Sequence, residues 1–214
     1  MEVFRGIAPR CRYPPPMPSR RVGLLGGTFD PPHVAHLVVA VEVREALGLD
    51  EVRLVVANDP WQKSALRRVT PAGTRLRLAR AAVGDVPGLG VSDVEVRHGG
   101  PSYTTRTLRS LRADEPGTEW FLILGADAAA RLDTWHEADD LLDLCTLVVV
   151  DRPGTPVRLP LPAGSPPPER VAVTSLDVSS TDLRRRARTG RSVRFLVPDA
   201  VAAMIAGEGL YLRD

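Results

Sequence analysis

The chain has little of several residue types, and each shortage argues against a class of protein. Its 214 residues contain two cysteines, Cys11 and Cys145, so a disulfide framework is disfavoured and a reducing cytoplasm is the expected compartment. No apolar run approaches the roughly 18 residues that a membrane-spanning helix needs. No apolar segment near the start indicates a signal peptide. The composition therefore predicts a globular protein with no membrane partner.

Net charge is also low, at +2 at pH 7. A charge this small does not indicate a nucleic-acid partner or a membrane surface. A single lysine, Lys63, stands among 28 basic residues. Biased genome composition explains the arginines in general, whereas a lysine that survives such a bias is a candidate for a functional role. The sequence allows a homo-oligomer.

The length favours one domain with a sizeable core. Residues 1–20 combine several arginines with a cluster of prolines and have no apolar periodicity. We expect them to be a disordered extension, or the result of a start codon placed too early. The predicted domain is therefore 21–214.

Strand and helix signals alternate along this domain. Buried strands are predicted at residues 22–25, 52–57, 91–96, 120–124 and 146–150. Helices are predicted at 34–47, 71–82, 102–112, 179–188 and 198–205, with Thr70 as the N-cap of the second helix and a proline-rich loop at 153–168. The alternation predicts an α/β fold with a doubly wound parallel sheet.

The most informative motif spans residues 26–36, Gly-Gly-Thr-Phe-Asp-Pro-Pro-His-Val-Ala-His. A glycine pair after a strand lets the backbone approach a ligand closely. The helix that follows directs N–H groups and a positive dipole end toward that ligand. His33 and His36 lie on one face of this helix. The pattern predicts a polyphosphate site.

Other phosphate and metal motifs fit this segment poorly. The glycine spacing is not that of the dinucleotide fingerprint G-x-G-x-x-G, and no Gly-Lys-Ser/Thr follows as in a Walker A loop. A zinc site needs a third ligand, and none accompanies the two histidines at the usual spacing. We therefore predict no protein metal site. Buried, purely structural histidines are the alternative interpretation.

Two further segments carry candidate chemistry. Hydroxyl groups and backbone N–H groups at residues 179–181 open a helix, and Arg184 follows one turn later as a bidentate partner for phosphate. The alternative is a plain N-cap with a solvated arginine face, and we expect Ser180 and Arg184 to be functional and most later arginines to be solvated. Trp135 lies outside any apolar stripe, which suits stacking on a flat ring. Packing in an interior hinge is the alternative for Trp135.

These motifs resemble the nucleotidyltransferase superfamily with the (T/H)xGH signature and, within it, the bacterial nicotinate mononucleotide adenylyltransferases. The similarity runs from about Arg21 to the end of the chain. It departs from the family at Ala35, where a glycine is usual, and at Ala57 and Gln62. The motifs that follow residues 26–36 in the family's order are Pro101-Ser102-Tyr103-Thr104, Gly125-Ala126-Asp127, Thr134-Trp135, Arg152-Pro153-Gly154 and the segment from Ser179 to Arg184.

The resemblance implies a Rossmann-like sheet of order 3-2-1-4-5 with a small C-terminal helical part that begins at Ser179. It implies transfer of AMP from ATP, accompanied by Mg²⁺, to nicotinate mononucleotide. The implied catalytic residues are His33, His36 and Arg184. The implied ATP-binding residues are Gly26, Gly27, Thr28, Phe29, Gly125, Asp127, Ser179, Ser180 and Thr181. The implied residues for the mononucleotide are Asn58, Lys63, Tyr103, Thr104, Trp135, His136 and Arg152.

Two alternatives remain open at this point. Another adenylyl- or cytidylyltransferase of the same superfamily would share the histidine motif but lack Trp135 and the segment 101–104. A non-catalytic nucleotide- or RNA-binding module would use the arginine-rich residues 184–194. A basic helix without interleaved aromatic residues is a weak indicator of RNA binding.

Overall fold

The strands form one parallel sheet in the computed structural model, which describes residues 19–60, 69–151, 159–162 and 164–212. The strand order in the described chain is β3-β2-β1-β4-β5-β6. The strands are β1 Arg21–Gly27, β2 Glu51–Val56, β3 Leu89–Ser92, β4 Glu119–Gly125, β5 Thr146–Asp151 and β6 Glu169–Ala172. This order confirms the predicted 3-2-1-4-5 arrangement and adds β6 at the edge. Strand β6 was not predicted, because only Val171 in it is buried.

The helices follow the strands in the alternation that the sequence predicts. They are α1 Val34–Leu47, α2 Ala72–Val83, α3 Val94–His98, α4 Thr104–Asp114, α5 Ala126–Ala129, α6 Leu141–Leu144, α7 Ser180–Arg188 and α8 Asp199–Gly207, with 3-10 turns at Leu132–Thr134 and Ala138–Asp140. Helix α1 ends at Gly48, whose φ of 58° is the left-handed conformation that closes many helices. The helix predicted at 34–47 is thereby confirmed at both ends.

Local predictions of two kinds were wrong. The apolar run 91–96 is not one strand, because β3 ends at Ser92 and the Ser92 hydroxyl accepts a hydrogen bond from the Val94 N–H at the start of α3. Pro71 is the N-cap of α2 rather than its first helical residue, so Thr70 lies outside the helix. Pro198, also predicted as a first helical residue, is likewise the N-cap of α8. In both cases the hydrophobic pattern is right and the boundary depends on backbone contacts.

Both faces of the sheet carry a hydrophobic core, as a doubly wound fold requires. Adjacent residues of a strand point to opposite faces, and in β1 Leu25 packs in the cluster with α1 and α2 while Leu24 packs in the cluster with α4. A third cluster joins α2 to the C-terminal helices through Leu78, Leu183 and Val201. In the part of the chain that the structure describes, no helix has the length and apolar character to cross a membrane.

The start of the described chain is attached to the domain. The Ser19 hydroxyl donates to the Glu119 carboxylate, and the Arg20 guanidinium pairs with Glu51 at 2.6 Å and Glu115 at 3.2 Å. The Arg20 carbonyl accepts a hydrogen bond from the Glu119 N–H. These two residues, which the sequence analysis assigns to the extension, therefore contact β4 and its surroundings; residues 1–18 lie outside the described residues.

Candidate active site

A crevice opens at the carboxyl ends of β1 and β4, the two central strands of the sheet. Strand β1 has β2 on one side and β4 on the other, so the chain order reverses between β1 and β4. Open α/β sheets bind ligands at such a switch point. The crevice is lined by the ends of both strands, including Gly26 and Gly125, and by residues of the segment 102–107.

The two glycines of the motif serve different purposes. A Cβ atom on Gly26 would meet nothing within 4 Å, and Gly26 lines the crevice. A Cβ atom on Gly27 would lie 2.7 Å from the ring of Phe29, so the missing side chain of Gly27 makes room for that ring. Phe29 is 2% exposed and packs edge-on against His36, with centroids 5.0 Å apart. Its buried ring therefore supports the His36 ring.

His33 and His36 form a stacked pair at the start of α1. Their ring centroids are 3.7 Å apart at 25°, and the His33 N–H donates to His36 Nδ1 at 3.1 Å. Burial lowers the pKa of His33 to about 4, so its ring is neutral at neutral pH. The Val34 N–H donates to the Leu196 carbonyl at 3.1 Å. Two N–H groups at this helix start are thus used within the protein.

The first turn of α7 packs against the histidine motif. The Ser180 hydroxyl donates to the Pro31 carbonyl, and Arg184 donates to the Asp30 carbonyl, each at 2.8 Å. Arg184 also donates to the Thr181 hydroxyl at 3.2 Å, and the Ser179 hydroxyl caps the helix by accepting from the Asp182 N–H. The structure therefore brings the two predicted phosphate segments together. Most of the later arginines are exposed, as expected of a solvated face: Arg185, Arg188, Arg191 and Arg194.

A buried arginine that sequence reasoning missed binds the backbone of residues that line the crevice. Arg75 is 1% exposed and donates to the backbone carbonyls of Thr28, Ala57 and Asn58 at 2.6–2.9 Å, and to that of Thr70 at 2.7 Å. It ties the loops after β1 and β2 to the start of α2. The sequence does not distinguish it from other arginines, because its partners are backbone atoms distant in the chain.

Aromatic side chains line the other half of the crevice. The rings of Tyr103 and His136 stack with centroids 4.2 Å apart at 18°, and both residues line the crevice with Thr104 and the half-buried Trp135. The buried Thr105 hydroxyl lies 3.1 Å from the His136 carbonyl, which fixes the segment around His136 against α4. Four predicted substrate residues are thus neighbours of one cavity.

A second missed residue, Glu95, lines the same cavity from α3. Its carboxylate accepts a hydrogen bond from the Thr107 hydroxyl at 2.8 Å and another from Ser102. Burial raises its pKa, while these hydrogen bonds and the nearby charges of His98 and Arg75 oppose that rise. No spacing in the sequence links Glu95 to its partners, because they meet only through the turn between α3 and α4.

Known proteins are similar to this chain in sequence and in fold. A family model described as cytidylyltransferase-like matches residues 24–186. A probable nicotinate-nucleotide adenylyltransferase of Roseiflexus sp. (strain RS-1) is 46% identical, over 91% of this chain and 100% of the relative. One of Herpetosiphon aurantiacus is 41% identical, over 90% and 99%. The chain belongs to the nicotinate-nucleotide adenylyltransferase family.

Solved structures agree on the fold of this family. Nicotinic acid mononucleotide adenylyltransferase of Plasmodium falciparum, complexed with NaAD, superposes with a TM-score of 0.73 at 15% identity. The alignment covers 91% of this chain and 98% of that one. A putative nicotinate-nucleotide adenylyltransferase of Vibrio parahaemolyticus gives 0.67 at 17%, covering 91% and 97%. The Rossmann-like α/β fold predicted from the sequence is confirmed.

The remaining predicted site residues of this family member lie in several places. Gly125 lines the crevice, and Asp127 is exposed on the short helix α5. Asn58 is engaged with the neighbouring loop, since its N–H donates to the Ser102 hydroxyl and its amide to the Gly100 carbonyl, each at 2.9 Å. Ala35, the departure from the family pattern, is the half-buried second residue of α1. Two predicted residues, Lys63 and Arg152, lie outside the described residues.

The described side chains do not form a cage for a metal ion. Among the described residues no group of three or more histidine, cysteine, aspartate or glutamate side chains is placed to hold one. Mg²⁺ is commonly held by one or two carboxylates together with substrate phosphates and water.

Proposed function

We propose that this protein transfers AMP from ATP to nicotinate mononucleotide, giving nicotinate adenine dinucleotide and pyrophosphate in NAD biosynthesis. One observation carries the proposal: Gly26, Gly27 and Thr28 line the same crevice as an aromatic cavity that suits a pyridine ring. The segment that continues from Thr28 carries the stacked histidines and the contact with α7, which suit phosphate. Membership of the nicotinate-nucleotide adenylyltransferase family supports the same reaction. A reducing cytoplasm remains the expected compartment on the cysteine count.

The reaction requires no protein nucleophile. The mononucleotide phosphate attacks the α-phosphorus of ATP, and the bond to pyrophosphate breaks. The protein must align two anions that repel each other and stabilise charge on the transferring group. Mg²⁺ enters with ATP as part of the substrate and neutralises phosphate charge.

The histidine pair suits the ATP phosphates by its protonation. In its neutral form His36 carries its proton on Nε2, because its Nδ1 accepts a hydrogen bond from the His33 N–H. We assign this Nε2–H to an oxygen of the α-phosphate, with His33 and Arg184 as further donors. We assign the adenosine and the remaining phosphates to the residues around Gly26, Gly125, Asp127 and the hydroxyl groups at the start of α7.

The aromatic cavity suits the nicotinate ring. Tyr103, Trp135 and His136 offer flat surfaces, and base stacking on such side chains typically contributes about 1–3 kcal/mol. Tyr103 is the N-cap of α4 and Thr104 its first residue, so the positive end of that helix faces the cavity. A pyridine carboxylate fits this helix end. We assign Asn58, Lys63 and Arg152 to the mononucleotide as well.

Release of pyrophosphate tests the proposal. The purified protein is incubated with Mg²⁺ and one of three substrate pairs. The pairs are ATP with nicotinate mononucleotide, ATP with phosphopantetheine, and CTP with a cytidylyl acceptor. We expect release with nicotinate mononucleotide and formation of the dinucleotide. Release only with another pair would identify a different transferase of the superfamily, and no release with any pair would favour a non-catalytic binding module.

The variant His36→Ala serves as the matched control for this assay. Removal of one preorganised donor to a developing charge typically costs about 10²–10³ in rate. We expect a folded His36→Ala protein to lose at least this much pyrophosphate release. Near-normal turnover by that variant would remove His36 from the mechanism.

A further inference from the structure

Glu95 is an acidic side chain in a cavity for which we propose an anionic ligand. It lies on α3 and lines the cavity together with Tyr103, Thr104 and Trp135. Burial raises its pKa, which means that the environment disfavours its charge. A buried acidic side chain next to the expected site of a carboxylate is unfavourable for binding unless it has another role. The hydrogen bonds of Glu95 indicate that role.

The first hydrogen bond fixes the loop that precedes α4. The Ser102 hydroxyl bonds to the Glu95 carboxylate and accepts from the Asn58 N–H at 2.9 Å. The Ser102 N–H donates to the Asp59 carbonyl at 3.3 Å. The loop is therefore held from two sides, by the segment after β2 and by Glu95.

The second hydrogen bond fixes the first turn of α4. The Thr107 hydroxyl donates to Glu95 at 2.8 Å and lies 3.2 Å from the Tyr103 carbonyl one turn earlier. Thr107 is 4% exposed, so its hydroxyl has little access to water as an alternative partner. Glu95 thus holds both the loop and the helix end that face the cavity.

We propose that Glu95 is a positioning residue for the mononucleotide: by binding the hydroxyl groups of Ser102 and Thr107, it orients the loop before α4 and the start of α4 so that the backbone N–H groups of Tyr103 and Thr104 meet the pyridine carboxylate. This inference rests on the proposed function. It assigns no proton transfer to Glu95. Its consequence is a specific loss of mononucleotide affinity when the two hydrogen bonds are removed.

The test compares two substitutions at Glu95 with opposite expected results. Glu95→Ala removes both acceptors, and we expect the KM for nicotinate mononucleotide to rise about tenfold or more, since hydrogen bonds to charged groups are strong. The KM for ATP should stay within about twofold. Glu95→Gln keeps one acceptor oxygen for one hydroxyl group, and its NH₂ group can donate to the oxygen of the other, so both contacts persist. This variant should stay within about threefold of the wild type for both substrates.

Matched variants on α4 separate this role from general damage. Thr107→Val removes one donor with little change of shape and should raise the KM for the mononucleotide, whereas Thr107→Ser keeps the hydroxyl and should not. Ser110→Ala is the control, because Ser110 lies 3.3 Å from His98 and joins the same two helices away from the cavity. Its kinetics should match the wild type.

The outcomes distinguish this inference from the proposed function. No turnover by the wild type would overturn the proposed function. An active wild type with an unchanged mononucleotide KM in Glu95→Ala, or an equal rise in the KM for ATP, would overturn the positioning role alone. A lower mononucleotide KM in Glu95→Gln would show that the carboxylate repels the substrate and would also overturn it. If Glu95→Ala does not fold, the Thr107→Val and Thr107→Ser pair decides.

Discussion

Protonation of His33 links the pH to the free energy of unfolding. It is 6% exposed, and burial lowers its pKa from 6.5 to about 4. The His33 ring binds a proton more tightly in the unfolded chain than in the folded chain. The free energy of unfolding therefore keeps its full value above about pH 6.5 and decreases as the pH falls toward 4. The loss from this residue should reach roughly 2–4 kcal/mol, because each unit of pKa shift corresponds to about 1.4 kcal/mol.

Chemical denaturation of the wild type and of His33→Gln measures this effect. Both proteins are first compared at pH 8, which isolates the loss of packing from the pH-dependent part. We expect the difference between them to shrink as the pH falls from 6.5 to 5. An identical pH dependence in the two proteins would show that His33 does not titrate in this way.

Gly26 and Gly27 are adjacent, yet substitution should affect them differently. Gly26→Ala places a methyl group in the open crevice, so we expect stability within about 0.5 kcal/mol of the wild type and a raised KM for ATP. Gly27→Ala drives a methyl group into the Phe29 ring 2.7 Å away, which should cost about 1–3 kcal/mol as overpacking does. Thermal unfolding and kinetics on the pair check this. A Gly26→Ala variant with lower stability and normal KM values would show that Gly26 serves packing rather than ligand approach.

At the scale of the element, the sequence predicts what is local and misses what depends on distant partners. Helix α1 could be placed at both ends, because the motif, the periodicity and Gly48 are all local signals. The boundary at Ser92 and the edge strand β6 could not, since β3 ends where its pairing with the distant strand β2 ends and β6 has one buried residue. Arg75 was missed for the same reason, because partners such as Thr28 are distant in the chain. Glu95 was missed because only the turn between α3 and α4 brings it to Thr107.

The start of α4 predicts a preference for the acid substrate over its amide. A carboxylate at this helix end gains charge-assisted hydrogen bonds, typically about 1.5–3 kcal/mol each. The amide turns its own NH₂ donor toward the same N–H donors, which adds repulsion to the lost attraction. We therefore expect kcat/KM to favour nicotinate mononucleotide over nicotinamide mononucleotide at least tenfold, since about 1.4 kcal/mol suffices.

Kinetics with both mononucleotides under identical ATP and Mg²⁺ test this preference. Trp135→Ala is the matched control, because stacking does not sense the acid group and both substrates should weaken alike. Equal kcat/KM values, or a preference for the amide, would mean that the carboxylate does not bind at the start of α4.

At the scale of the whole molecule, the described contacts begin at Ser19. Ser19 and Arg20 bond to Glu119, Glu51 and Glu115, whereas residues 1–18 are rich in proline and arginine, a composition that buries little apolar surface. A shortened chain beginning at Ser19 should therefore keep the Tm and the kinetic constants of the full chain.

The shortened chain with Arg20→Ala provides a reference loss of stability for this experiment. Arg20 is half exposed, with a side-chain exposure of 50%, and exposed ion pairs typically contribute about 0.2–1 kcal/mol. We expect a loss of that size for Arg20→Ala and none for removal of residues 1–18. A loss on shortening that exceeds the Arg20→Ala effect would show that the first 18 residues pack on the domain. A loss of turnover at unchanged Tm would instead show that they reach the crevice, and the domain would then have to be defined from residue 1.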